Sequence, residues 1–147
     1  MGIFRDAIGE KTSYEPYKYI QTDTAVLYIG ARYTYEELLE EPLLPFKMKA
    51  VIAQYILKES DAGNSLESEL YHMKDSGFVY ETYRQLKCRV KVMELKEKKG
   101  RGGDGEYREK VYPLERLSKI PVTEKEERGF VITELQISKL SLMGFTV

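Results

Sequence analysis

Apolar residues recur along the chain at two spacings. Residues 24–33 (TAVLYIGARY) form a short, apolar, β-rich run, the pattern of a buried strand. Thr34 and Glu37 then make a Thr-x-x-Glu capping box, which predicts a short helix over 34–41 stopped by Pro42 and Pro45. Between 46 and 59, Met48, Val51, Ile52, Tyr55 and Ile56 fall at helical spacing and give a second helix one buried face. Asp61-Ala62-Gly63-Asn64 reads as a turn. Ser65 caps a third helix over 65–75, with Leu66, Leu70 and Met73 on one side and Gly77 as its stop.

The pattern from 78 to 97 supports two periods. Val79, Tyr83, Leu86, Val90 and Met93 fit a helix, whereas Leu86, Cys88, Val90 and Val92 alternate with Lys87, Arg89 and Lys91 as in a strand. We read a helical start over 78–84 followed by a strand over 86–97. A return strand over 106–112 follows a glycine-rich loop, here taken as 97–106. In the register that pairs Lys99 with Glu106, Glu97 with Arg108 and Lys96 with Glu109, the cross-strand neighbours carry opposite charges. Pro113 suits the first turn of a short helix holding Leu114, Leu117 and Ile120. Residues 123–128 read as a charged connector. Residues 130–142 read as a strand with a bulge near Ser138, a C-terminal helix being the alternative.

These elements predict an α+β fold: an antiparallel sheet that includes a long charged β-hairpin, with about three helices packed on one face. A length of 147 residues suits a single domain over 1–147, with residues 1–23 as a tyrosine-rich N-terminal arm. Six of the 12 tyrosines fall within the first 35 residues, Tyr14, Tyr17 and Tyr19 among them, and their rings suit a half-buried surface or an interface. Val51, Ile52, Tyr55, Leu70 and Val90 are expected in the core. Met1–Asp6 lacks the apolar core of a signal peptide, and the longest apolar run, 25–31, is far too short for a membrane span. With a lone cysteine, Cys88, no internal disulfide forms, so a cytoplasmic location of bacterial type is the expectation.

Candidate chemistry is sparse. Gly100-Arg101-Gly102-Gly103-Asp104-Gly105 matches the dinucleotide-binding expression G-x-G-x-x-G. However, solvated Lys96-Glu97-Lys98-Lys99 precedes it and no apolar helical stripe follows, so we read a hairpin loop. The lone histidine, His72, stands three residues from Glu69 and could pair with it on a helix surface, a structural or solvated histidine being the expectation. Cys88 has cations on both sides, which favour a thiolate, but its place in the alternation makes it a small core residue. No catalytic constellation, metal-ligand spacing or cofactor motif emerges, and no small-molecule substrate is nominated.

The charge map is more informative. The net charge is −1, yet Arg84–Arg101 carries eight basic and two acidic residues, and Glu59–Tyr83 carries six acidic residues and one basic. The candidate interaction surface is therefore Arg84, Lys87, Arg89, Lys91, Lys96, Lys98, Lys99 and Arg101. The expected function is a non-catalytic interaction or assembly protein, self-associating or binding another protein. The alternative is a nucleic-acid-binding accessory protein that lays the basic β-ribbon 84–101 along phosphates.

Overall fold

The computed structural model describes residues 16–95 and 106–147. It is α+β, as expected. Strands β1 (Ile20–Thr22), β2 (Val26–Gly30), β3 (Arg89–Leu95), β4 (Tyr107–Pro113) and β5 (Val131–Ser138) form one antiparallel sheet in the order β1-β2-β5-β3-β4. The helices are more numerous than the three expected, because most are one or two turns long. They are α1 (Tyr35–Leu39), α2 (Phe46–Gln54), α3 (Leu66–Tyr71), α4 (Phe78–Gln85), α5 (Leu114–Leu117), α6 (Val122–Glu127) and α7 (Lys139–Gly144).

Leu27, Ile29, Val90, Val92, Leu135 and Ile137 are the sheet's contribution to one apolar core. Tyr35 and Leu38 of α1, Met48, Val51 and Ile52 of α2, Leu66 and Leu70 of α3, and Tyr83 of α4 close over them. Of the expected core residues, Val51, Ile52, Leu70 and Val90 are fully buried. Tyr55 is only half-buried. It caps α2, leans its ring on Phe145 and donates its hydroxyl to the Thr146 carbonyl at 2.6 Å. A phenol at a core margin satisfies its polar end this way.

Several local signals act as read. Thr34 Oγ1 accepts from the Glu37 amide and the Glu37 carboxylate accepts from the Thr34 amide, a complete capping box. Ser65 caps α3 through the Ser68 amide. Others act differently. Gly77 does not stop α3, which ends at Tyr71. Its φ of 99° lets the chain turn into α4, a conformation for which glycine is suited. Leu86 and Cys88 are not in a strand. The Lys87 amide donates to the Arg84 carbonyl and the Cys88 amide to the Tyr83 carbonyl, closing α4 in a Schellman turn with Lys87 at φ 53°.

The hairpin forms, but in another register. Glu109 faces Met93 and Arg108 faces Glu94, not Lys96 and Glu97. The chosen charge pairs lose to burial of Val90 and Val92 against Tyr112, because the apolar alternation sets which residues face the core. The loop 97–105 and its glycine motif lie outside the described residues. Residues 122–127 are helix α6, entered through Pro121, where a connector was expected. The segment after Gly129 is strand and then helix, β5 followed by α7, with Ser138 capping α7 through the Ser141 amide. The register irregularity lies opposite Lys91 and Val92, where β5 steps from Glu134 to Ile132 and leaves Thr133 as the extra residue.

Two residues of the N-terminal arm, Tyr17 and Tyr19, run beside β2. The Gly30 amide donates to the Tyr19 carbonyl and the Arg32 amide to the Tyr17 carbonyl. A Cβ on Gly30 would sit 2.3 Å from the Tyr17 oxygen, so only glycine admits this close crossing.

Candidate functional site

The face of the sheet away from the core carries the described part of the basic ribbon. Strand alternation places Arg89 and Lys91 of β3 there, beside Tyr28, Gln136 and Glu134. Lys91 lies 3.5 Å from Glu109 and 3.7 Å from Glu134. Glu134 is buried at the centre of this face, where it accepts from the Tyr19 hydroxyl and, at 2.8 Å, from the Gln136 amide. Arg84 stands apart on α4 and forks onto Glu81, whose carboxyl is lowered by that hydrogen bond. Lys87 occupies the Schellman turn rather than the strand face. Lys96, Lys98, Lys99 and Arg101 lie outside the described residues. Lys87 and Arg89 still line one shallow hollow with Gln136 and Ser138, whereas Arg84 and Lys91 are each paired with carboxylates of the same chain.

On the opposite face, the far end of β3 holds a buried carboxylate. Glu94 accepts from the Tyr112 hydroxyl at 3.1 Å and from Arg128 Nε at 3.0 Å, and Lys110 lies 3.6 Å away. Burial pushes its carboxyl up, but the bonds from Arg128 and Tyr112, with the charges of Arg128 and Lys110, outweigh burial and hold it below the usual value. Arg128 also bonds Glu124 at 2.7 Å and stacks over Phe130. This network ties α6 to the hairpin.

The single histidine and cysteine carry no reactive arrangement. His72 does not pair with Glu69. Its Nδ1 meets the Ser68 carbonyl at 3.0 Å, because His72 caps the C-terminus of α3 and turns back along it. Glu69 instead accepts from the hydroxyls of Ser60 and Tyr35, and Tyr35 meets Tyr83 at 2.8 Å in the core. Burial holds both phenols well above the ordinary tyrosine value. Cys88 is buried as expected, and that burial pushes its thiol up, away from the thiolate its flanking cations would favour. Among the described residues no cluster of His, Cys, Asp or Glu could hold a metal ion, and no helix is long and apolar enough to cross a membrane.

A different corner has the features of a contact surface. The connection from α1 to α2 and the helix α7 form the walls of an apolar groove of about 330 Å³. Leu27, Pro45, Leu142 and Met143 line it, with Lys47 and Lys139 among the lining residues. Lys47 Nζ donates to the Met143 carbonyl at 2.9 Å and Lys139 Nζ to the Asp23 carbonyl at 2.7 Å. Neither amine lies within ion-pair distance of a carboxylate among the described residues. The same two segments hold the most exposed large apolar side chains described: Phe46 (89%), Leu140 (80%), Met143 (74%) and Leu43 (69%). A concentration of such side chains on adjoining segments marks an interaction surface more strongly than the same residues scattered.

No family model matches the chain, and no curated protein matches its sequence.

None of this corner was singled out from the sequence. The available signal was Leu43 and Phe46, which stand off the apolar stripe of α2. Leu140 lies in the stretch 130–142 read as strand, and Met143 just beyond it.

Proposed function

We propose that this protein is a non-catalytic interaction and assembly module that self-associates, and that it works through the corner formed by the α1–α2 connection and α7. The observation that carries this reading is the exposure of Phe46, Leu43, Leu140 and Met143 on the two segments that wall an apolar groove, with Met143 among its lining residues. Leaving large apolar side chains in water forgoes roughly 1.5–3 kcal/mol each relative to burial, which a contact surface recovers on binding. The basic ribbon is the weaker candidate surface, because Arg84 and Lys91 already face carboxylates of the same chain.

Light scattering over a range of concentrations tests the proposal. The expected result is a mass above the 17.1 kDa of one chain at micromolar concentration. A 17.1 kDa species at every concentration in low salt would remove self-association. Steeply salt-dependent binding of that monomer to arbitrary duplex DNA would move the function to the ribbon 84–101.

A further inference from the structure

We propose that the groove is filled by Phe46 of a second copy of this chain, in a symmetric pair where each copy gives its Phe46 and receives its partner's. This rests on the self-association reading above and names the surface that performs it.

The corner contains both halves of such a contact. Phe46 projects from the first turn of α2 and is the most exposed large apolar side chain described. Its chain neighbours Pro45 and Lys47 line the groove, so knob and hole lie side by side. A surface with adjacent complementary features meets the requirement of an isologous interface, where a two-fold axis exchanges them. The aromatic ring would bury about 150–250 Å² per copy, with Leu43, Leu140 and Met143 adding apolar area around it.

Charge supports the same occupant. Lys47 and Lys139 are not ion-paired among the described residues, and Glu40, exposed at the C-terminal cap of α1, is not either. Lys47 and Lys139 bond backbone carbonyls beside the groove, and Glu40 stands on the connection that leads into Phe46, so a second copy would bring a carboxylate with its knob toward cations beside the hole.

Another route to a pair, edge-to-edge pairing of β4, opposes like charges in the two registers centred on its charged middle. Strand β4 is a sheet edge. Pairing it antiparallel with a second β4 centred on Glu109 sets Glu109 against Glu109 and Arg108 against Lys110. Centring it on Lys110 opposes two lysines. Such like-charge opposition protects an edge from its own copies.

Phe46→Asp and Met143→Asp test the proposal, both at exposed positions where the fold should persist. Each should weaken association roughly 30-fold or more, the effect of losing a central anchor. Circular dichroism and unfolding midpoint should stay near wild type. Cysteine pairing supplies the geometric test, since the only native cysteine, Cys88, is buried. Mixing Phe46→Cys chains with Met143→Cys chains under mild oxidation should give a covalent heterodimer faster than Met143→Cys gives homodimers. If wild type associates but neither aspartate variant weakens it, or if the mixed disulfide does not form, the proposed contact is wrong while self-association stands. A wild type that stays monomeric overturns both.

Discussion

The charged hairpin and the apolar corner treat their exposed groups in opposite ways. At the hairpin, lysines and arginines that look available in the sequence meet carboxylates supplied by distant segments. Lys91 of β3 meets Glu134 of β5, and Arg128, beyond α6, meets Glu94 of β3. At the corner, Lys47, Lys139 and Glu40 lie outside ion-pair range among the described residues, and large apolar side chains stand in solvent. A charge run states how many charges a segment has. It does not state whether the fold has already used them. In this protein Arg84 and Lys91 of the conspicuously charged segment are already paired with carboxylates, whereas the corner of modest composition leaves large apolar side chains in solvent.

The sharpest way to break this contrast is to delete one group from each region. Glu94→Ala leaves Arg128 and the Tyr112 hydroxyl without their buried acceptor and should cost about 2–3 kcal/mol in denaturant unfolding. Phe46→Ala, measured under dilute conditions where the chain is monomeric, should stay within about 0.5 kcal/mol of wild type. Equal losses at both sites would erase the distinction between a structural network and a contact surface.

Acid sharpens the same contrast. The Glu94 carboxyl is held below its ordinary value in the folded chain, so the unfolded chain takes up its proton first as pH falls. Its contribution is fully present above the ordinary glutamate value of about 4.3 and is lost as pH drops through the lower folded value. Glu94→Gln should therefore be less stable than wild type at neutral pH, and the gap should narrow on acidification. A gap that is constant down to about pH 3 would show that the carboxylate's charge is not what the network uses.

The smallest expected effect concerns the joint between α4 and the hairpin. Lys87 holds φ 53° with a side chain that disfavours it. Lys87→Gly should raise stability by about 0.5–1 kcal/mol, read from the thermal midpoint. Because Lys87 occupies a turn and not the strand face, the change should leave any association intact. A fall in stability would mean the lysine side chain contributes more than the backbone conformation costs.

The local chemistry of this chain was legible wherever a short stretch contains its own instruction. The Thr34 capping box, the Ser65 cap and the apolar stripe of α2 each satisfy orphan backbone groups or bury a face within a few residues. Residue type and spacing alone therefore determine them. The α+β class follows from the same signals added along the chain.

Tertiary structure decided what depends on a distant partner. The hairpin register follows core packing of Val90, Val92 and Tyr112 rather than the charge pairs that local spacing favours, because burying apolar area outweighs exposed cross-strand pairs. The end of α4 at Lys87 has no glycine to announce it, and packing of Leu86 and Cys88 in the core on either side imposes the turn. The candidate surface was hidden for the same reason. Phe46 and Met143 lie 97 residues apart in sequence, and only the docking of α7 beside α2 brings their segments together around one groove.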